Sequence, residues 1–132
     1  NPLHYDHCGT IGHNLMVHSD SGAYAIWFMI AAEDKAKADL LFKGLNHPLD
    51  RENHFVSLDQ LAQADFPVHV IEQRVGDLIL IPSLGYHQVQ NMGNTTIKAA
   101  WNRLRSQCLS IALNTVLPVY KRMNNPEAYG TK

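Results

Sequence analysis

The feature that most constrains the fold is a His-x-Asp pair, His4 and Asp6, which finds a third partner far along the chain in His87. Alternate residues of a strand share one face, so the His4 imidazole and the Asp6 carboxylate point the same way. Two imidazoles and one carboxylate form the facial triad of non-haem Fe(II) oxygenases, which leaves coordination positions open. A fold that uses this triad has to bring the start of the chain against the distant segment around His87.

Composition indicates one compact domain, or a piece of one, and excludes several classes of protein. The chain has 132 residues, of which 45% are hydrophobic and 17% are charged, and these values are typical of a globular core. A formal net charge of -1 gives no positive electrostatic potential that would attract the phosphates of a nucleic acid directly. The longest apolar runs, such as 23–32, reach only about half of the ~20 residues that cross a bilayer, so we expect no membrane insertion.

The beginning of the chain and its cysteines carry two further expectations. The chain starts Asn-Pro-Leu-His, without a Met or a signal segment, so we expect it to be part of a longer protein. Cys8 and Cys108 are too few for a secreted disulfide framework or a zinc cluster. A reducing intracellular compartment is therefore expected.

The sequence pattern predicts short strands over much of the chain. Residues 13–18 and 23–32 are predicted to form a hairpin around a Ser-Asp-Ser-Gly turn. Four further strands follow at short intervals between turn residues, which is typical of a barrel or a sandwich. They are predicted over residues 68–75, 77–81, 86–90 and 95–101.

Helices are predicted between these strands. Residues 33–43 read as a short amphipathic helix that Gly44 ends. The polar stretch 45–55 reads as an exposed loop. Ser57 is predicted to cap a second helix, which Pro67 prevents from continuing.

The end of the chain changes character. Residues 104–123 carry apolar side chains near helical spacing, and Pro118 predicts a kink or a second helix there. We expect two parts, a barrel over 1–102 that lacks its N-terminal strands and a helical extension over 103–132 that packs on it.

The surroundings of His87 distinguish the triad from a chance pattern, since a His-x-Asp pair alone arises readily in a chain with eight His. Gly76-Asp77, Ile81-Pro82 and Gly85-Tyr86-His87 describe a strand, a turn and a second strand that opens on an inward histidine, as a double-stranded β-helix requires. Here residues 3–102 resemble the Jumonji C (JmjC) family of Fe(II) and 2-oxoglutarate oxygenases. The resemblance is carried by Leu3 to Asp6, Asn14, Trp27 to Asp34, Gly76-Asp77, Ile81-Pro82, His87-Gln88-Val89, Asn91 and Ile97-Lys98, and it is closest to the Hairless-like histone lysine demethylases.

The resemblance implies a mainly β fold, a double-stranded β-helix of the jelly-roll or cupin type, with inserted short helices and a C-terminal helical segment. It implies that His4, Asp6 and His87 bind Fe(II), with 2-oxoglutarate and O2 as cosubstrates.

One position departs from the family pattern. Many JmjC proteins carry a lysine for 2-oxoglutarate two residues before the tryptophan, where this chain has Ala25. We assign that role to Lys98, on the strand after His87, with Asn14 and Trp27 lining the cosubstrate pocket. The alternatives are an outward-pointing lysine, an asparagine that caps a turn of the hairpin, and a tryptophan that is plain core.

The resemblance further implies a nuclear histone lysine demethylase that acts on the repressive lysine-nine mark and releases succinate and formaldehyde. Its partner is then a methylated histone tail or another protein substrate, within a chromatin complex. Two alternatives stay open, a protein hydroxylase of the same fold and a JmjC module that has lost turnover and recruits partners on chromatin.

Overall fold

The computed structural model describes residues 1–123, which fold into two three-stranded antiparallel sheets with helices around them. One sheet has the strand order β4-β1-β6 and the other has the order β3-β2-β5. The strands are β1 (Ile11–Ser19), β2 (Tyr24–Ile30), β3 (His69–Gln73), β4 (Leu78–Ile81), β5 (Tyr86–Met92) and β6 (Thr96–Arg103). The predicted fold class, mainly β with a jelly-roll arrangement and a C-terminal helical segment, is confirmed.

The predicted hairpin over 13–18 and 23–32 is wrong. Strands β1 and β2 both exist, but β1 pairs with β4 and β6, whereas β2 pairs with β3 and β5. The turn between them, with positive φ at Ser21 and Gly22, carries the chain from one sheet to the other. Turn residues between two apolar runs predict a reversal of direction, and they do not reveal which sheet the second strand joins.

Strand β2 is the centre of the molecule because it is buried on both faces. Its residues Ala25, Trp27 and Met29 face the space between the sheets, where they join Met16, Ile79 and Ile81. Phe28 and Ile30 point the other way, into a second apolar cluster that includes Phe42 of the first helix. A strand buried on both sides reads as a continuous apolar run, as 23–32 does.

The helices of the middle region follow the sequence signals in part, since the second helix is shorter than predicted and ends well before Pro67. Helix α1 spans Lys35–Gly44, so it ends at the predicted glycine. Helix α2 is a single turn, Leu58–Leu61, and Ser57 caps it in a capping box with Gln60. The predicted loop contains a 3-10 turn, Leu49–Arg51, whose Leu49 is buried in the core.

The C-terminal segment is helical, as predicted, and contains an irregularity. Helix α3 spans Ser106–Ile111, a π-helical stretch covers Ala112–Val116, and helix α4 spans Leu117–Met123. Pro118 cannot donate a backbone hydrogen bond to the preceding turn, which accounts for the wider π turn just before it. Residues 124–132 of the predicted extension lie outside the described residues.

This segment packs against the turn that follows Asp6. A hydrogen bond of 2.9 Å joins His7 Nδ1 to the hydroxyl of the buried Tyr120, and Arg122 forms an ion pair with Asp50. The division into a barrel and an extension at residue 102 stays a prediction. None of the helices within residues 1–123 combines the length and apolar character that crossing a membrane requires.

Candidate metal centre

The N-terminal segment reaches the distal histidine through backbone pairing. His4 N–H donates to the His87 carbonyl at 3.1 Å, and His87 N–H donates to the His4 carbonyl at 2.7 Å. This short antiparallel bridge places residues 4–6 beside β5. Two segments that are far apart in the sequence thus lie side by side, as the triad requires.

The side chains of His4, Asp6 and His87 converge on one point. Each offers one ligand atom, and these three atoms all lie within 4.8 Å of one another. His87 Nε2 lies 3.9 Å from Asp6 Oδ1, and the two imidazole centroids are 4.3 Å apart. A single ion can therefore contact all three residues after small side-chain adjustments.

Hydrogen bonds at the far side of each ring leave the same nitrogen available. His4 Nδ1 bonds the Pro2 carbonyl at 2.7 Å, and His87 Nδ1 bonds the Gly85 carbonyl at 3.3 Å. When Nδ1 donates to a carbonyl, Nε2 carries the lone pair, which is the usual arrangement for metal-binding histidines. Both rings are thus held in the tautomer that can bind a metal.

The carboxylate of Asp6 provides an independent test of whether these three residues suit a metal ion. Among residues 1–123, its buried Oδ2 finds no hydrogen-bond partner, although buried polar atoms normally have one. Gly12 lies directly against this oxygen, and a Cβ at that position would overlap it. A cation would satisfy the orphaned oxygen, so the donor set fits a hard or borderline metal ion.

The protonation state of His87 also suits metal binding. Burial, and then the neighbouring His4, lower the pKa of His87 to about 4, although Asp6 acts in the opposite direction. The imidazole is consequently neutral near pH 7, which is the form that binds a metal ion.

The opposite faces of the ligand-bearing strands are anchored to helix α1. Tyr5 and Tyr86, each next to a triad histidine, pack edge to face at 5.4 Å. The Tyr86 hydroxyl donates to Asp39 Oδ1 at 2.6 Å, and Lys35 Nζ lies over both rings. Burial raises the pKa of both tyrosine hydroxyls, and the hydrogen bond from Tyr86 to Asp39 fixes the start of β5 against helix α1.

A cavity of about 290 Å³ opens beside the triad, between the two sheets. All six residues that the sequence proposed for the site line it. They are His4, Asp6, His87, Lys98, Asn14 and Trp27.

Lys98 projects toward this cavity and not away from the sheet. Burial lowers the pKa of Lys98, and its Nζ donates to Asn91 Oδ1 at 2.5 Å. Asn91 also lines the cavity. The reading of Lys98 as an outward-pointing strand lysine does not match this position, whereas its role toward a cosubstrate stays a prediction.

Two residues at the site were missed by the sequence reasoning. Gly12 had a signal, because an isolated glycine inside a strand pattern often marks a close approach. Gln73 had none. It ends a strand whose other residues are exposed, yet it is itself buried, and its amide hydrogen-bonds both Trp27 and Asn14.

The remaining histidines near the triad have ordinary structural roles, as predicted from the sequence. His7 bonds Tyr120, and His18 pairs with Asp20 on the surface. His13 departs from this pattern, because it stacks on Trp101, lines the cavity and has a buried Nδ1 without a hydrogen-bond partner among the described residues.

Comparison with known proteins agrees with this geometry. The family model described as "JmjC domain, hydroxylase" matches residues 1–102. A protein of Dictyostelium discoideum named C-module-binding factor A is 37% identical over 132 residues, which cover 99% of this chain. The chain spans 13% of the length of that relative.

Proposed function

The chain belongs to the JmjC domain family, and on that premise we propose that it forms the catalytic core of an Fe(II)- and 2-oxoglutarate-dependent histone lysine demethylase. The family supports an oxygenase or hydroxylase type of function. The observation that carries the proposal is the convergence of one carboxylate oxygen and two imidazole nitrogens within 4.8 Å, at the edge of a cavity.

Each residue of the site has a definite task in this proposal. His4, Asp6 and His87 would hold the ion beside the cavity and leave coordination positions for the cosubstrates. When bound, Fe(II) and 2-oxoglutarate would activate O2, with one oxygen atom going to the succinate formed as 2-oxoglutarate loses carbon dioxide and the other hydroxylating an N-methyl carbon, which then leaves as formaldehyde. Trp27, buried against His87, keeps water from that side of the imidazole.

Lys98 is proposed to neutralise the distal carboxylate of 2-oxoglutarate. A dicarboxylate in a partly desolvated cavity requires a cation, and Lys98 is the only lysine or arginine of residues 1–123 that lines this cavity. Lys98→Met should weaken 2-oxoglutarate binding by about tenfold or more, since hydrogen bonds to charged groups contribute about 1.5–3 kcal/mol. Metal affinity should stay unchanged, and Lys43→Met, an exposed lysine, serves as the control. Unchanged cosubstrate affinity in Lys98→Met would place the cation elsewhere.

The proposed substrate is a histone tail methylated at lysine nine, encountered in the nucleus within a chromatin complex. Support comes from the Hairless-like motifs around His87 and from the domain family. The test is to incubate the full-length protein with Fe(II), 2-oxoglutarate and a panel of methylated histone peptides, and to measure succinate and formaldehyde together. Succinate with an oxygen retained on the peptide, and no formaldehyde, would indicate a protein hydroxylase instead.

A second candidate is a JmjC module that binds partners without turnover. It is favoured by the name of the relative, which describes a binding factor. The complete triad and the inward Lys98 favour turnover.

Two variants test the triad, and turnover by the wild-type protein separates the two candidates. His87→Ala and Asp6→Ala should abolish metal binding and succinate release, whereas the exposed His18→Ala should retain both. Wild-type protein that binds metal but releases no succinate with any peptide would support the binding module.

A further inference from the structure

We propose that Gln73 is a positioning residue of the metal site, which orients Trp27 against His87 and Asn14 toward the cavity. The inference rests on the proposed function, because it assigns a task to Gln73 within that centre. It starts from the isolation of Gln73 in its strand. The other residues of β3 are exposed, whereas Gln73 has an exposed fraction of 0%.

Both the oxygen and the nitrogen of the Gln73 amide form hydrogen bonds. Oε1 accepts a hydrogen bond from Trp27 Nε1 at 2.8 Å. Nε2 donates to the Asn14 carbonyl at 2.9 Å and also lies 3.2 Å from Asn14 Oδ1 and from the Asp77 carbonyl. A hydrocarbon side chain in this space would leave the Trp27 N–H and the Asn14 carbonyl without this hydrogen-bond partner. A fully bonded amide, by contrast, defines the direction of each group that it contacts.

Gln73 thereby joins the two sheets beside the cavity. Strand β3 lies in one sheet next to β2, which carries Trp27, whereas Asn14 lies on β1 of the other sheet. No backbone pairing connects these sheets between β1 and β2. The turn that follows β3 bonds the backbone of β1 at Met16. Gln73, just before this turn, adds a direct side-chain link between Trp27 and Asn14.

The first consequence concerns His87. The Trp27 and His87 rings stack with centroids 5.9 Å apart and planes inclined by 26°. The hydrogen bond from His87 Nδ1 to the Gly85 carbonyl is long, at 3.3 Å, so it restrains the imidazole only weakly. Stacking on a tryptophan whose N–H is anchored supplies the missing restraint on the plane of this metal ligand.

The second consequence concerns the ligand in the cavity. Because Gln73 Nε2 donates toward Asn14 Oδ1, the amide of Asn14 is oriented with its oxygen toward Gln73. Its Nδ2 group is then left as a donor for the cavity that Asn14 lines. A donor in this place suits a carboxylate, so the same glutamine orients one contact for the organic acid.

The experiment compares two buried glutamines. Gln73→Met removes the amide at nearly constant length, and Gln88→Met does the same at a residue with an exposed fraction of 1%. Gln88 hydrogen-bonds the backbone of Val56. Neither glutamine lines the cavity, so the two variants differ in the groups whose hydrogen bonds they remove. Both variants should lose stability in urea, but only Gln73→Met should lose Mn(II) affinity, by about tenfold, and 2-oxoglutarate affinity in the Mn(II) form.

Two further variants keep the inference testable if Gln73→Met does not fold. Gln73→Glu keeps an acceptor for Trp27 and loses the nitrogen donors, so it should weaken 2-oxoglutarate more than Mn(II). In a Trp27→Phe background, where the indole N–H is gone, Gln73→Met should add little to the loss of Mn(II) affinity.

Equal losses of Mn(II) affinity in Gln73→Met and Gln88→Met would overturn the inference, because the effect would then be general destabilisation. Wild-type Mn(II) affinity in a folded Gln73→Met protein would overturn it as well, and would leave the proposed function standing. Wild-type protein that binds Mn(II) but demethylates no peptide would refute the proposed function without touching the role of Gln73.

Discussion

A methyl group added at Gly12 should disturb the metal site more than it disturbs the fold. Gly12 lies on β1, where a Cβ would overlap Asp6 Oδ2 and would come within 2.9 Å of Ile81 Cδ1 and 3.2 Å of Ile81 Cβ. Its φ is not among the positive values of the chain, so alanine meets no backbone strain. The cost of Gly12→Ala is therefore steric, and the carboxylate of Asp6 has to move.

The expected magnitude follows from those contacts. Overpacking by one methyl group costs about 1–3 kcal/mol of stability. Displacing a carboxylate from its ligand position should lower metal affinity by about 10- to 100-fold, the range found when a group that orients a metal ligand is changed. Mn(II) titration by calorimetry measures the second quantity, and urea unfolding of the metal-free protein measures the first.

Gly44→Ala is the matched control. A Cβ at Gly44 meets no atom within 4 Å, and the residue ends helix α1. This variant should bind Mn(II) like the wild type and be equally stable, or more stable by up to about 1 kcal/mol. If Gly12→Ala also bound Mn(II) with wild-type affinity, the orphaned Asp6 oxygen would not be part of a metal site, and the reasoning from Gly12 would be refuted.

Three stability predictions can be measured together by urea unfolding. Phe42→Ala should lower the free energy of unfolding by about 3–5 kcal/mol, because this side chain has an exposed fraction of 0%. Phe55→Ala is the control and should lower it far less, because Phe55 is 47% exposed. Equal losses in the two variants would contradict the assignment of Phe42 to the core. Tyr120→Phe should cost about 1 kcal/mol through its bond to His7, and no loss would mean that water replaces this bond. Ser57→Ala should cost about 1 kcal/mol by removing the helix cap, and an unchanged midpoint would show that the single turn of α2 does not contribute to stability.

The relation between sequence and structure differs from element to element. The strand after Asp77 was predictable because Leu78 to Ile81 alternate between exposed and buried positions, and a period of two is a local property. Ser57 was predictable as a cap for the same reason, since a capping box involves only neighbours along the chain. The hairpin failed because strand partners are chosen by contacts with distant segments.

At the site, too, local properties were predictable and contacts between distant segments were not. His4, Asp6 and His87 could be named from their residue types and from motifs around them, and the structure brings all three together. Their convergence itself rests on a backbone bridge between residues 4 and 87, which no local pattern encodes. The role of Lys98 could be assigned only by resemblance, although its inward position is visible in the structure.

The sequence by itself determined the chemistry that is available here, namely two imidazoles, a carboxylate and a lysine. Only the tertiary structure decided that Gln73, at the end of an otherwise exposed strand, is buried between Trp27 and Asn14. The physical reason is that side-chain identity and strand periodicity are properties of neighbouring residues, whereas burial and hydrogen-bond partners arise when two sheets close on each other. The burial of a polar side chain at a strand end cannot be predicted from its neighbours, because its hydrogen-bond partners come from distant parts of the chain.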